Sequence, residues 1–558
     1  MSLIHNNQLK PFGNQSILLA RSRKLVQNLI QPQCYNHPVD EIRLIETHIS
    51  WVILTGRFAY KIKKPVLLDF LDFSTLEKRY FYCQREIKLN QRFSPDIYLG
   101  ISNISGSPEN PLMDFEQREQ PEQSEQSKKS IIEYAVKMRQ FSQSSQLDQM
   151  LFNGELQSFH VDAFADLIAM FHQNITIAEE DNEFGNFENI LRPVDENFSM
   201  LTENLKDKNL NKKINDLHFW STKTAKELKP LFSQRKRDGF IRECHGDLHL
   251  RNMAWVNQNP VLFDCIEFDD NLTWIDVISE VAFLYMDLQE NDCYQLASRF
   301  LNRYLENTGD YSGVRLLRFY LCYRAMVRAK IASIEITQSV GNSSRQLAAK
   351  SAFQKYLLQA EKYTRLVAPR LIITHGFSAC GKTTISQQLL EQMNAIRIRS
   401  DVERKRLFGM QANENVSADI DQSIYTSESN KQTYDKLLEL AGVILDSGFS
   451  VIIDATFLKF SQRKHFQHLA AVKKVPYIIL DITARASSLR QRIEQREKGA
   501  SDATRAVLEH QLENTQEVHD EEISHVIVVD TEVAIDFETL SKKISLLKFA
   551  NVKNQQNT

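Results

Sequence analysis

Two sets of residues in this chain have the types and spacing that phosphate chemistry needs. The first is Gly376-Phe377-Ser378-Ala379-Cys380-Gly381-Lys382-Thr383-Thr384. It follows the apolar run 371–374 and opens a helical pattern with Ile385, Leu389 and Met393 on one face. A G-x-x-x-x-G-K-T string between strand and helix is the setting in which it cradles phosphates. Its glycines let backbone N–H groups turn inward as an anion nest, and the helix start adds partial positive charge. Lys382 supplies a point charge for the β- and γ-phosphates of ATP, and Thr383 a hard oxygen for Mg²⁺. Asp401 lies past a second apolar run, 396–399, and Asp454 ends a third, 451–454. Ligands of open parallel sheets gather at the carboxyl ends of strands, which places both acids toward Thr383. We assign Asp454 to the metal and Asp401 to the base that accepts a hydroxyl proton; an Asp after a strand also serves as a helix N-cap. Arg492 and Arg496 stand at i, i+4, so one helix face carries two guanidiniums able to clamp a transferring phosphoryl group as a lid closes. A solvated face is the other reading of that spacing.

The second set is His245-Gly246-Asp247-Leu248-His249-Leu250-Arg251-Asn252, followed by the apolar run 261–263 and Asp264. A carboxylate at Asp247 can orient a hydroxyl and accept its proton, while Asn252 and Asp264 hold Mg²⁺ against the phosphates. Upstream, Lys61 sits in a strand-like run and Glu86 on the helix after it; such a pair fixes the α- and β-phosphates. Lys63 alternates to the same strand face as Lys61, so the pattern leaves both open, with Lys61 preferred because it directly follows the apolar Ala59-Tyr60. His249 reads as a loop hydrogen-bonder rather than a ligand, and Trp274 and Asp276 as braces of the loop.

These residues have to be held by elements the rest of the sequence supplies. The chain has 558 residues, 68 Lys+Arg against 71 Asp+Glu, a net charge of −3, 42% hydrophobic and 25% charged residues. At roughly 150 residues per domain this is enough for several cores, and the composition argues against wholesale disorder. Near-neutrality argues against a nucleic-acid coat or an anionic-membrane binder. Only 17 Gly and 13 Pro break the chain, which predicts long helices. No apolar run approaches the ~18 residues of a membrane span. The run 17–20 is too short for a signal-peptide core, and the seven scattered cysteines form no C-x-x-C pair; both point to reduced thiols in a cytoplasm.

Residues 1–33 read as a tail or one loose helix. Three short strands follow, at 42–45, 51–54 and 58–62, then a helix from 75 to 90 capped by Ser74. The segment 105–130 is rich in Gln, Glu, Ser and Pro and reads as a solvated loop before a strand at 131–138. Helical blocks cover 148–231 and 274–366. After Pro369 strands and helices alternate, which implies a parallel sheet with crossover helices.

The second set, in the order strand Lys, helix Glu, Asp-x-x-x-x-Asn, strand Asp, resembles the aminoglycoside phosphotransferase family of kinase-like folds, which carries His-Gly-Asp where protein kinases carry His-Arg-Asp. The resemblance implies a domain at 34–366 with a β-rich small lobe at 36–138, a hinge near Lys137 to Arg139 and a helical lobe at 139–366. The turn expected over the phosphates, Thr47-His48-Ile49-Ser50, lacks glycine, and no acidic cluster of the kind aminoglycoside pockets use is visible. The first set resembles the small P-loop kinases, the group of gluconate kinase, zeta-toxin-like and polynucleotide kinases. That implies a five-stranded parallel α/β/α domain over 367–550, with 551–558 as a tail, and ATP-dependent phosphorylation of a hydroxyl. The expected whole is a bifunctional kinase acting on small hydroxylated molecules, with ATP and Mg²⁺ in each domain. Two alternatives stay open: one domain as a nucleotide-binding regulator, or the C-terminal domain as a nucleic-acid end kinase using Arg397, Arg399, Arg404, Lys405 and Arg406.

Overall fold

The computed structural model describes residues 14–68, 71–115, 131–204, 207–339, 342–412, 424, 426–495 and 504–547. The chain divides into two compact units, one of residues 1–163, 174–287 and 319–362, the other of 164–173, 288–318 and 363–558. Among the described residues no helix is long and apolar enough to cross a membrane, and the seven cysteines are free thiols.

The first unit contains a six-stranded sheet built on β1 (Arg43–Glu46), β2 (Ser50–Leu54), β3 (Phe58–Lys63), β4 (Tyr98–Ser107), β5 (Asn110–Phe115) and β6 (Ile131–Arg139). Its order is β1-β2-β3-β6-β4-β5. Every pairing in it is antiparallel, so short turns suffice to connect β1, β2 and β3. Alternation puts Trp51, Ile53, Tyr60 and Ile62 into one core, onto which the helix Asn14–Asn28 lays Leu25 and Val26. The strands β4 and β5 run into the polar segment read from sequence as a loop. Ile104, just before that segment, and Met113 within it reach the core, while Gly106, Glu109 and Asn110 are exposed and Ser105 is buried; the pair turns through residues 107–110. An edge hairpin of this kind buries one residue in two, so its composition resembles that of a loop. The remainder of that segment, 116–130, lies outside the described residues.

Helix α1 (Leu76–Asn90) crosses the other face of the sheet. Its N-cap is Thr75, whose Oγ1 accepts the Lys78 N–H at 3.3 Å; Ser74, expected in that place, instead donates to Asp72. Beyond the sheet lie α2 (Val277–Glu290), α3 (Tyr294–Thr308) and α4 (Val314–Gln338). Most of α2 and α4 belongs to the first unit, and α3 to the second.

The second unit is built on five parallel strands, β7 (Leu371–His375), β8 (Ile396–Arg399), β9 (Val451–Asp454), β10 (Tyr477–Thr483) and β11 (Val526–Asp530), ordered β8-β9-β7-β10-β11. All five residues of β7 are buried, as expected of the central strand of a sheet covered on both faces. Helices α5 (Lys382–Met393), α6 (Ser400–Leu407) and α7 (Ala486–Glu494) follow β7, β8 and β10. The apolar faces of α5 and α7 and those of β7, β9, β10 and β11 share one core, which includes Ile372, Leu389, Ile452, Leu480 and Leu489.

Candidate active site

In the second unit the chain leaves β7 through Gly376 at φ 140°, where a Cβ would lie 2.4 Å from the Ile482 carbonyl oxygen and 2.8 Å from the Cys380 sulfur. Only glycine passes there. Gly381, at φ 98°, starts α5 without a side-chain cap, leaving its first N–H groups to other partners. Lys382 folds back on the loop, its Nζ donating to the carbonyls of Gly376 (3.1 Å) and Phe377 (2.6 Å). Those carbonyls are a neutral resting place that a phosphate would outcompete. Cys380 is buried, and burial pushes its thiol above the usual value, which leaves packing as its role.

A cavity of about 820 Å³ opens on this loop, and Lys382, Thr383, Asp401, Asp454 and Arg492 all line it, with Ser378, Ala379, Gly381 and Thr384. Asp454 is 5% exposed and accepts from the Ser386 hydroxyl at 3.2 Å. The Asp401 carboxylate makes no hydrogen bond or ion pair among the described residues, and the N-cap of α6 is Arg399, not Asp401. Arg492 donates to Thr531 Oγ1 at 2.9 Å and to the Thr531 carbonyl at 3.1 Å. Arg496 lies outside the described residues.

The basic run that begins in β8 turns inward. Arg397 and Arg399 grip one buried carboxylate, Glu306 on α3, at 3.2 and 2.6 Å. Arg397 also donates to the Thr383 carbonyl at 3.3 Å. Arg404 donates to Asn430 and Thr433, the fully buried Lys405 to the Ala412 carbonyl, and Arg406 to Glu403. Burial would raise the Glu306 carboxyl, but the two guanidiniums outweigh it and hold the acid below its ordinary value. Replacing Glu306 by Gln should therefore strand two arginines. We expect a loss of about 3 kcal/mol from the second unit, read as a lower urea midpoint in its unfolding transition; an unmoved midpoint would show that the two guanidiniums find water instead.

In the first unit Glu86 of α1 is fully buried and spends both oxygens on lysines of β3: Lys61 at 2.8 Å and Lys63 at 2.6 Å. The lysines then diverge. Lys61 reaches Asp264, the most exposed member of the group, whereas Lys63 is sealed against Glu267. Sequence reasoning missed Glu267, whose only signal is its place three residues after Asp264. Burial pushes the Glu267 carboxyl up despite Lys63, while Lys61 and Lys63 hold Glu86 down against its own burial. Lys61→Met is expected to lower ATP affinity and transfer in this unit with the fold kept. Lys63→Met leaves two buried carboxylates short of a partner and should cost about 3 kcal/mol of stability. Nucleotide titrations and urea melts on both variants separate the two roles; equal effects in both assays would count against the distinction.

The turn that carries Asp247 is forced by Gly246, at φ 87°, where a Cβ would sit 2.7 Å from the Leu272 carbonyl oxygen. Glu280 of α2 accepts the N–H groups of His245 (3.2 Å) and Gly246 (2.6 Å), and Asp287 accepts that of Leu250 at 3.0 Å. Neither acid is marked by local spacing. Asn252 Nδ2 donates to the Asp247 carbonyl at 3.0 Å and to its carboxylate at 3.1 Å. Asp264, at φ 63°, leaves the strand end with its N–H on the Tyr98 hydroxyl, and Lys61 beside it holds its carboxyl below the usual value against the cost of burial. Asp276 forms a sealed pair with Arg235 at 2.6 Å. His249 makes no hydrogen bond through either ring nitrogen, unlike the loop bonder expected from sequence.

Comparison with known proteins accords with this geometry. A model of the phosphotransferase enzyme family matches residues 153–317, and a model of an AAA domain matches 371–518. The uncharacterized protein Rv2004c of Mycobacterium tuberculosis is 30% identical over 477 residues, covering 84% of this chain and 90% of that relative. An uncharacterized protein of Mycobacterium bovis aligns to the same extent. Among solved structures, a sugar kinase from Janibacter sp. shares 21% identity over 32% of this chain and 92% of its own, with a TM-score of 0.25. A choline/ethanolamine kinase family protein from Mesorhizobium loti shares 9% over 61% of this chain and 99% of its own, with a TM-score of 0.35. The chain belongs to the family of these mycobacterial proteins, and it is a phosphotransferase that joins a phosphotransferase-family kinase domain and a P-loop kinase domain in one polypeptide.

Proposed function

We propose that the chain is a bifunctional ATP-dependent kinase, with one Mg–ATP site in each unit and the hydroxyl of a small polar molecule as acceptor in each. The observation that carries this reading is that each unit gathers, from distant stretches of chain, a cation for phosphates, a carboxylate for a hydroxyl proton and hard oxygens for a metal. In the first unit the parts are Lys61 held by Glu86, Asp247, and Asn252 with Asp264. In the second they are Lys382, Asp401, and Thr383 with Asp454 around one cavity. Carboxylate, amide and hydroxyl oxygens suit a small divalent cation; Asp454 ends β9 and Asp264 stands two residues past the strand Asn259–Leu262, each with one carboxylate oxygen without a hydrogen bond among the described residues. When bound, the metal neutralises phosphate charge. The chain's own residues do the rest. Asp247, or Asp401, takes the hydroxyl proton as the acceptor oxygen bonds to the γ-phosphorus, and ADP leaves with the electron pair of the broken P–O bond. Arg492 lines the second unit's cavity, held by Thr531, where its guanidinium can clamp the transferring phosphoryl group. We place the division between the two catalytic halves near residue 366 and the protein in the cytoplasm.

The inward-turned basic run supports small molecules over nucleic-acid ends as acceptors, because a strand needs exposed cations to track its backbone. One observation favours a second reading, a regulatory first unit. In the glycine-free turn 47–50, the Thr47 N–H is spent on the Ser50 carbonyl and the Ser50 N–H on Thr47 Oγ1, so neither is left for a phosphate. Incubating the full chain with ATP, Mg²⁺ and a cell metabolite extract tests the primary reading, through new phosphorylated masses. Absence of any such product would end it.

A further inference from the structure

Helix α4 runs past the Asp247 turn and presents two arginines one turn apart. Arg324 is spent on structure, with its nitrogens on the Gly246 carbonyl and on the carbonyl and hydroxyl of Ser279. Arg328 is not. Its Nε donates to the Tyr356 hydroxyl at 3.2 Å, and its guanidinium lies 5.5 Å from that ring's centre. Its two terminal nitrogens have no hydrogen-bond partner among the described residues, and the side chain is only partly buried. The acids whose fields reach it are Asp287, already engaged by the Leu250 N–H, and Asp247 itself. His249, 2% exposed, has its Nε2 3.4 Å from the Asp247 carboxylate, at ion-pair distance, and neither ring nitrogen makes a hydrogen bond. Buried polar atoms are almost always paired, and among the described residues the buried His249 ring has only the Asp247 carboxylate, at ion-pair distance, for a polar neighbour; Arg328, one turn beyond the Arg324 that touches the Gly246 carbonyl, keeps two terminal donors uncommitted on a partly exposed side chain.

We propose that the acceptor phosphorylated by the first unit is an anionic hydroxyl compound, whose carboxylate or phosphate seats on Arg328 while its hydroxyl meets Asp247. This rests on the phosphotransfer reading above. A guanidinium with two free parallel donors matches a carboxylate or phosphate in charge and geometry. It repels an amino-alcohol, and a neutral polyol leaves its charge unmatched. His249 is in reach of the same hydroxyl as a positioning residue. The transfer balances as before: the acceptor O–P bond forms, the P–O bond to ADP breaks, and the proton goes to Asp247.

The test uses the full chain carrying Lys382→Ala, which silences the second unit. A metabolite extract is separated by anion exchange into a bound fraction and a flow-through of neutral and cationic compounds. Each is supplied with Mg–ATP, and products are read by mass. We expect new phosphorylated products from the bound fraction only. Once a product identifies its acceptor, Arg328→Gln should raise the KM for it at least about 30-fold, with kcat and Mg–ATP binding little changed, and Arg328→Lys should recover part of the loss. Products confined to the flow-through, or an acceptor KM unmoved in Arg328→Gln while Mg–ATP binding shows the protein folded, would overturn the inference and leave the kinase reading standing. No product from either fraction would overturn both.

Discussion

Asp247→Asn is expected to cut phosphoryl transfer by the first unit by about three orders of magnitude while leaving its fold and its nucleotide affinity nearly unchanged. Asn keeps an oxygen that can accept from Asn252 Nδ2, now 3.1 Å from the carboxylate, so the turn retains its internal bond. The strain at Gly246 and its two N–H bonds to Glu280 are untouched. What is lost is a group that can take the acceptor's proton, and an amide cannot substitute for it at neutral pH. The variant thus separates chemistry from architecture. Measured in a Lys382→Ala background, transfer should collapse while the urea midpoint and Mg–ATP titration stay in place. Transfer within ten-fold of the parent would mean that another residue accepts the proton.

The uneven legibility of the two sites has a physical cause. The loop 376–384 is readable because backbone geometry fixes it: Gly376 has no room for a side chain, and Gly381 must take a positive φ. Asp247 and Asn252 are readable for a similar reason, since their contact spans five residues within one turn. Lys61 and Lys63 could not be separated, because a strand repeats every two residues and both point at Glu86. What separates them is Glu267, 204 residues from Lys63 in sequence. Glu306 is equally silent: its partner Arg399 is 93 residues away, and nothing in the composition of α3 marks one acid among its neighbours. The arginines of β8 show the converse error. A cluster of cations reads as a surface, yet parallel strands are covered on both faces, so the charges there had to find partners inside. The polar β4–β5 hairpin fell on the other side of the same limit, because an edge strand needs only a few core residues, Ile104 and Met113 here.

Lys382→Ala should abolish the second unit's transfer, by about a thousand-fold or more, and should do so mainly by weakening nucleotide binding and charge stabilisation rather than by unfolding. The reason lies in where the side chain rests. Its Nζ is held by the neutral carbonyls of Gly376 and Phe377, and among the described residues no carboxylate is paired with it. Removing it therefore costs the fold little, in contrast to Lys63 or Glu306, whose removal leaves opposite charges sealed in the interior. It also leaves the loop's glycine-set conformation and the start of α5 intact, so the backbone N–H groups can still meet an anion. The expected signature is a partial loss of Mg–ATP affinity together with a near-total loss of turnover, measured in an Asp247→Asn background so that only this unit reports. If turnover survives in that background, or if the urea midpoint falls as far as it does for Glu306→Gln, the ammonium is a structural strut of the loop and the transfer chemistry must be sought elsewhere in the cavity.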